Sequence, residues 1–150
     1  MNPFNIKKTF DDKISRGWEK VYICIDLHDV VIEGKYKRHN EGADFGPNAV
    51  NVLQQLSYRP DIVLILWTSS HDDAVKGMLE KMKLHNIEFR YVNENPECPN
   101  THLCDFNKKF YFNILLDDKA GFEIDRDWYL VEAALKKAGA WAKPTLLYEN

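Results

Sequence analysis

Three short polar clusters each close an apolar run. Asp26-Leu27-His28-Asp29 follows residues 21–25, Thr68-Ser69-Ser70 follows residues 62–67, and Asp117-Asp118 follows residues 111–116. Carboxylates, hydroxyls and an imidazole can ligate hard cations, hold phosphate oxygens and move protons. If the three runs are neighbouring parallel strands, the clusters meet in one crevice beyond their carboxyl ends, where open α/β sheets bind ligands. Gathered carboxylates repel one another, so the arrangement is costly unless a cation sits among them. Oxygen donors suit Mg2+, which takes one or two carboxylates and keeps its other positions for water or phosphate. The bland alternative is that strand ends are polar because they leave the core.

The elements that must hold these clusters can be read from the spacing of apolar residues. Residues 21–25 and 62–67 are compact runs rich in β-branched side chains and predict buried strands. Pro47 opens a helix over 48–56, with Val52, Leu53 and Leu56 on one face. After His71-Asp72-Asp73, the spacing of Val75, Met78, Leu79 and Met82 predicts a second helix. A weaker strand over 87–92 is followed by a loop with Pro96, Pro99 and Asn100, then a strand over 111–116. A helix over 128–138 stops near Gly139, and 145–148 reads as a short last strand. The first 18 residues fit either a short helix or an extra edge element. Strands alternating with helices imply a three-layer α/β, Rossmann-like domain with a mainly parallel sheet.

The order of the clusters resembles the haloacid dehalogenase-like phosphohydrolases. Their motifs are a strand followed by Asp-x-Asp-Gly-(Thr/Val), a strand ending in Thr or Ser, a Lys, and a strand ending in Asp-Asp or Gly-Asp. This chain reads Asp26-Leu27-His28-Asp29-Val30-Val31, then Thr68-Ser69-Ser70, then Lys109, then Asp117-Asp118. The resemblance spans roughly residues 20–138. Receiver domains instead place their paired acids after the first strand, and metal-free dehalogenases do not need the Asp-Asp pair.

The resemblance implies a Mg2+-dependent phosphohydrolase that works through an aspartyl-phosphate on Asp26. Asp26 and Asp118 would ligate the metal with Asp117 as a further ligand, and His28 would add its backbone carbonyl. Thr68 would hydrogen-bond a phosphate oxygen together with the backbone N–H of Ser69. Lys109, or its neighbour Lys108, would tie nucleophile to phosphate. His28 departs from the family, whose phosphatases carry an acid/base Asp there. Imidazole can serve both steps, its unperturbed pKa being near 6.5, and the alternative is a catalytically impaired phosphate-binding or interaction module. A third reading is a metal site that only stabilises the fold. Asp29 stands where the family has Gly.

Length bounds the rest. With 150 residues, 45% hydrophobic and 29% charged, the chain is one ordinary globular domain. The intervals from Asp26 to Thr68 and from Thr68 to Lys109 must each hold a helix, which leaves no room for the cap domain of larger relatives. Residues 30–38 fit a β-hairpin flap with Gly34 at its turn. Around Tyr36 lie Lys35, Lys37, Arg38 and His39, either a patch that attracts a nucleotide or nucleic-acid end or an ordinary solvated hairpin. The expected substrate is a phosphorylated small molecule or nucleotide, with a nucleic-acid end as an option. A net charge of −3 gives no general reason to bind nucleic acid or a membrane. Cys24, Cys98 and Cys104 suit a reducing cytoplasm, and Cys98, His102 and Cys104 lack the paired spacing of a structural zinc site. Trp67 is expected to pack in the core.

Overall fold

The computed structural model describes residues 2–34 and 43–141. Four strands, β1 (Val21–Asp26), β2 (Ile62–Trp67), β3 (Tyr91–Val92) and β4 (Ile114–Leu116), form one sheet in the order β3-β2-β1-β4, and every pairing is parallel. Four α-helices accompany them: α1 (Ile6–Arg16), α2 (Ala49–Ser57), α3 (Asp72–Leu84) and α4 (Asp127–Lys137). The expected α/β class with a parallel sheet is therefore observed. Among the described residues, no helix is long and apolar enough to cross a membrane.

The register explains how the sheet is packed. Ile23 faces Leu64 and Ile114, and Ile25 faces Leu66 and Leu116. Side chains alternate along a strand, so these residues share one face. All are buried in the main core, to which the helices add Phe10, Leu53, Met78 and Trp128. The other face carries Tyr22, Cys24 and Asp26 beside Val63, Ile65 and Trp67. Its cover is the segment 93–113, which contains no helix or strand. Rings join this cover to the sheet: Tyr22 lies 6.1 Å from Tyr111, and Trp67 lies 5.5 Å from Phe110. The layers are thus helices, sheet and an irregular aromatic segment.

The ambiguous N-terminus is resolved as a helix. Ile6, Thr9 and Phe10 are its buried face, packed beside α4. Lys7–Asp11 and Lys8–Asp12 pair across one turn of its outer side. Gly17, at φ 68°, closes the helix, and the Trp18 N–H donates to Lys13 O at 2.9 Å. Two strands are shorter than their apolar runs. β4 begins at Ile114 because Asn113 intercepts the ladder: its side-chain oxygen accepts the Tyr22 N–H at 2.8 Å. In the 87–92 run, Ile87 and Phe89 are buried, but ladder pairing is confined to Tyr91 and Val92.

Residues 31–33 leave the end of β1 and meet residues 44–46 antiparallel. Ile32 bridges Phe45, Glu33 N–H donates to Asp44 O, and Gly46 N–H donates to Val31 O. The basic stretch from Lys35 to His39 and the expected strand 145–148 lie outside the described residues.

Candidate functional site

At the carboxyl end of the sheet, β1 and β4 deliver their acids to one place. Asp26 is the last residue of β1, and Asp117-Asp118 directly follows β4, its parallel neighbour. One carboxylate oxygen from each of Asp26, Asp117 and Asp118 lies within 4.8 Å of the other two. They line a cavity of about 470 Å3 together with His28, Asp29, Trp67, Thr68, Ser69, Asn93 and Lys119. Parallel register alone brings the three clusters of the sequence into this crevice.

The acids strain one another electrostatically. Burial, a hydrogen bond shared with Asp118 and the charges of Asp117 and Asp118 push the Asp26 carboxyl up to about 7, against the pull of the Leu27 N–H. Behind it, burial and the charges of Asp117 and Asp26 raise the Cys24 thiol to about 12, so Cys24 is no thiolate at neutral pH. Asp117 is partly committed, because its Oδ1 accepts the Lys119 N–H at 2.8 Å and caps the 3-10 turn Asp118–Ala120. This hard-oxygen set fits a divalent cation such as Mg2+: the donors are close, anionic and left in mutual repulsion without one.

The loop after β1 is pinned from several sides. Val31 and Ile32 N–H groups both donate to Leu27 O, and the buried Trp128 indole donates to Val30 O at 2.6 Å. Asp29 adopts φ 62°, the left-handed region that favours glycine. Its carboxylate accepts the Gly34 N–H at 2.9 Å. A β-carbon at Gly34 would sit 2.6 Å from the Asp29 oxygens, so a side chain there would push the carboxylate off that amide.

Thr68 is clamped through its backbone. Asn93 accepts the Thr68 N–H at 2.9 Å and donates to Thr68 O at 2.7 Å, while the Thr68 hydroxyl oxygen accepts the Ser70 N–H at 3.1 Å. Asn93 follows β3 and itself takes φ 56°, a conformation asparagine tolerates. Neither Asn93 nor Lys119 was an expected site residue. Lys119 directly after Asp117-Asp118 was a readable signal; Asn93 had only its position at a strand end.

Two sequence expectations are placed differently. Lys109 does not line the crevice: its ammonium lies 6.0 Å from the centre of the Phe112 ring, and Lys119 is the lysine of the cavity wall. Trp67 is not core; it is 43% exposed and stands at the crevice wall. Among the described residues, Cys98, His102 and Cys104 bring no metal-ligand group together.

No family model and no curated protein matches this chain. A solved structure of a conserved protein coded by a locus from Bacteroides thetaiotaomicron is similar over 87% of this chain and 99% of that one. Its TM-score is 0.61 at 21% sequence identity, a likeness of fold.

Proposed function

We propose that the protein is a small Mg2+-dependent phosphomonoesterase of the haloacid dehalogenase-like type, without a cap domain, acting through Asp26. The observation that carries this reading is the convergence of Asp26, Asp117 and Asp118 beside Thr68 in one cavity. Four acids against His28 and Lys119 would repel a phosphate dianion, so the same crevice admits phosphate only with a cation present. Bound among these oxygens, Mg2+ would neutralise the carboxylates and the phosphate and keep Asp26 ionised.

In this reading an Asp26 oxygen attacks phosphorus and forms an aspartyl-phosphate as the bond to the leaving oxygen breaks. His28 gives that oxygen a proton, then takes one from the water that attacks phosphorus in the second step, freeing Asp26 and phosphate. The Thr68 hydroxyl and the Ser69 N–H hold the phosphate oxygens, and the Asn93 clamp keeps Thr68 oriented. Lys119 supplies the side-chain cation, a role assigned by the sequence resemblance to Lys109.

A second reading, a phosphate-binding module without turnover, draws on His28 in the acid/base position and on the placement of Lys109 over Phe112. Turnover of an aryl phosphate with Mg2+ separates the two. The wild type should hydrolyse it, and Asp26→Asn should lose more than about 10³-fold in kcat. No turnover by the wild type, with activity gained in His28→Asp, would support the impaired module. Activity surviving in Asp26→Asn would overturn the nucleophile.

A further inference from the structure

Beside the crevice lies a second hollow of about 770 Å3 that shares Trp67 and Asn93 with it. Phe106 and Phe110 form part of its wall, and Lys108 also lines it. Trp67 stands at the junction, half-exposed, with its ring 5.5 Å from that of Phe110. A large apolar ring left open to solvent next to a polar crevice loses the benefit of burial unless something planar covers it. Three asparagines of this wall are engaged by the protein. Asn93 holds Thr68 with both ends of its amide, Asn95 donates to Tyr111 O and accepts the Glu97 N–H, and Asn100 accepts the Phe106 N–H. Glu94, Asn107 and Lys108 also line the hollow but are exposed to solvent, so the ring faces are the fixed surface it offers.

We infer that this hollow takes the base of a nucleoside phosphate whose phosphate occupies the crevice, with stacking on Trp67 and little discrimination among bases. The inference rests on the phosphomonoesterase reading and adds its substrate class. The two spaces adjoin at Trp67 and Asn93, which line both. Base–aromatic stacking is tolerant of sequence because every base has a π-face.

The test compares AMP, CMP and ribose 5-phosphate on the wild type with Mg2+, by steady-state kinetics and by calorimetric binding. KM and Kd for AMP and CMP should agree within about threefold and lie at least about tenfold below those for ribose 5-phosphate. Trp67→Leu should collapse that ratio, and Phe110→Leu should reduce it; circular dichroism checks that each variant folds. Equal constants for AMP and ribose 5-phosphate, no binding of AMP, or a ratio that survives both substitutions would overturn the inference. Hydrolysis of all three with equal constants defeats it while sparing the phosphatase reading. Trp67-dependent binding of AMP without hydrolysis does the reverse.

Discussion

Two ends of one strand face treat carboxylates in opposite ways. Near the start of β1, Glu97 accepts from Lys20 at 2.6 Å, Tyr91 at 2.6 Å and Tyr22 at 3.2 Å, with Arg90 3.6 Å away. Burial would raise its pKa, but the hydrogen bonds from Lys20 and Tyr91 hold it down to about 2. Four residues along the same face, Asp26 meets two further acids and is pushed up to about 7. The first carboxylate is fully partnered by the protein and serves the fold. The second is short of positive charge, as the proposed cation site requires. Uncompensated acid at a strand end, rather than acid as such, marks the candidate site of this sheet.

The sharpest way to break the comparison is to remove one acid from each end. Asp118→Asn should weaken Mg2+ binding by about 10- to 100-fold and lower turnover with it, while Tm in the absence of metal rises or holds, because repulsion on Asp26 is relieved. Calorimetric Mg2+ titration and thermal melts read both. Glu97→Ala should act the other way, costing about 1–3 kcal/mol of stability through its stranded donors and leaving the Mg2+ affinity within about twofold. Urea unfolding measures the loss; an unchanged midpoint would mean the network is ornamental.

The pH response gives a smaller but signed contrast. The folded pKa of Asp26 lies above its unfolded value, so the unfolded chain holds fewer protons between about pH 4 and 7, and stability falls as pH rises through that window. After solvent screening of this half-buried group, the loss is about 1–2 kcal/mol. Glu97 is lowered instead, so its contribution is present above about pH 4.5 and is lost as pH falls towards 2. Metal-free protein should therefore be most stable near pH 4–5, and saturating Mg2+ should flatten the decline towards pH 7. Melts across pH with EDTA or Mg2+ test this; a metal-free maximum at pH 7 would contradict the repulsion assigned to Asp26.

Much of this was legible because burial and chain order leave a strong imprint. The run from Ile62 to Trp67 is a strand over its whole length, and Asp26, Thr68, Asp117 and Asp118 reach one crevice because parallel strands end on the same side. What was hidden depended on side chains that substitute for backbone. Asn113 delays the start of β4 by taking the Tyr22 N–H with its side-chain oxygen, which no apolar pattern reveals. Asn93 enters the site by bonding a backbone twenty-five residues away. Lys109 was assigned by motif order, but the segment that carries it is irregular, so spacing along the chain said little about where its ammonium goes. The N-terminal helix was ambiguous because only Ile6, Thr9 and Phe10 are buried, too sparse a stripe to stand out among charges.

The cover over the Asp26 face is held largely by ring contacts and side-chain amides instead of strand ladders or a helix. A layer built that way is modular. Exchanging Phe106 alters its ring contact with Tyr111, and exchanging Phe110 alters those with Trp67 and Phe112, while the hydrogen bonds of the parallel sheet stay in place. The candidate site's Asp26 ends β1, Thr68 follows β2 and Asp117-Asp118 follows β4, and Phe110 meets this framework through Trp67. The parallel sheet thus fixes where the acids of the crevice meet, while the wall beside them is set by side chains that can be exchanged without disturbing the sheet's ladders.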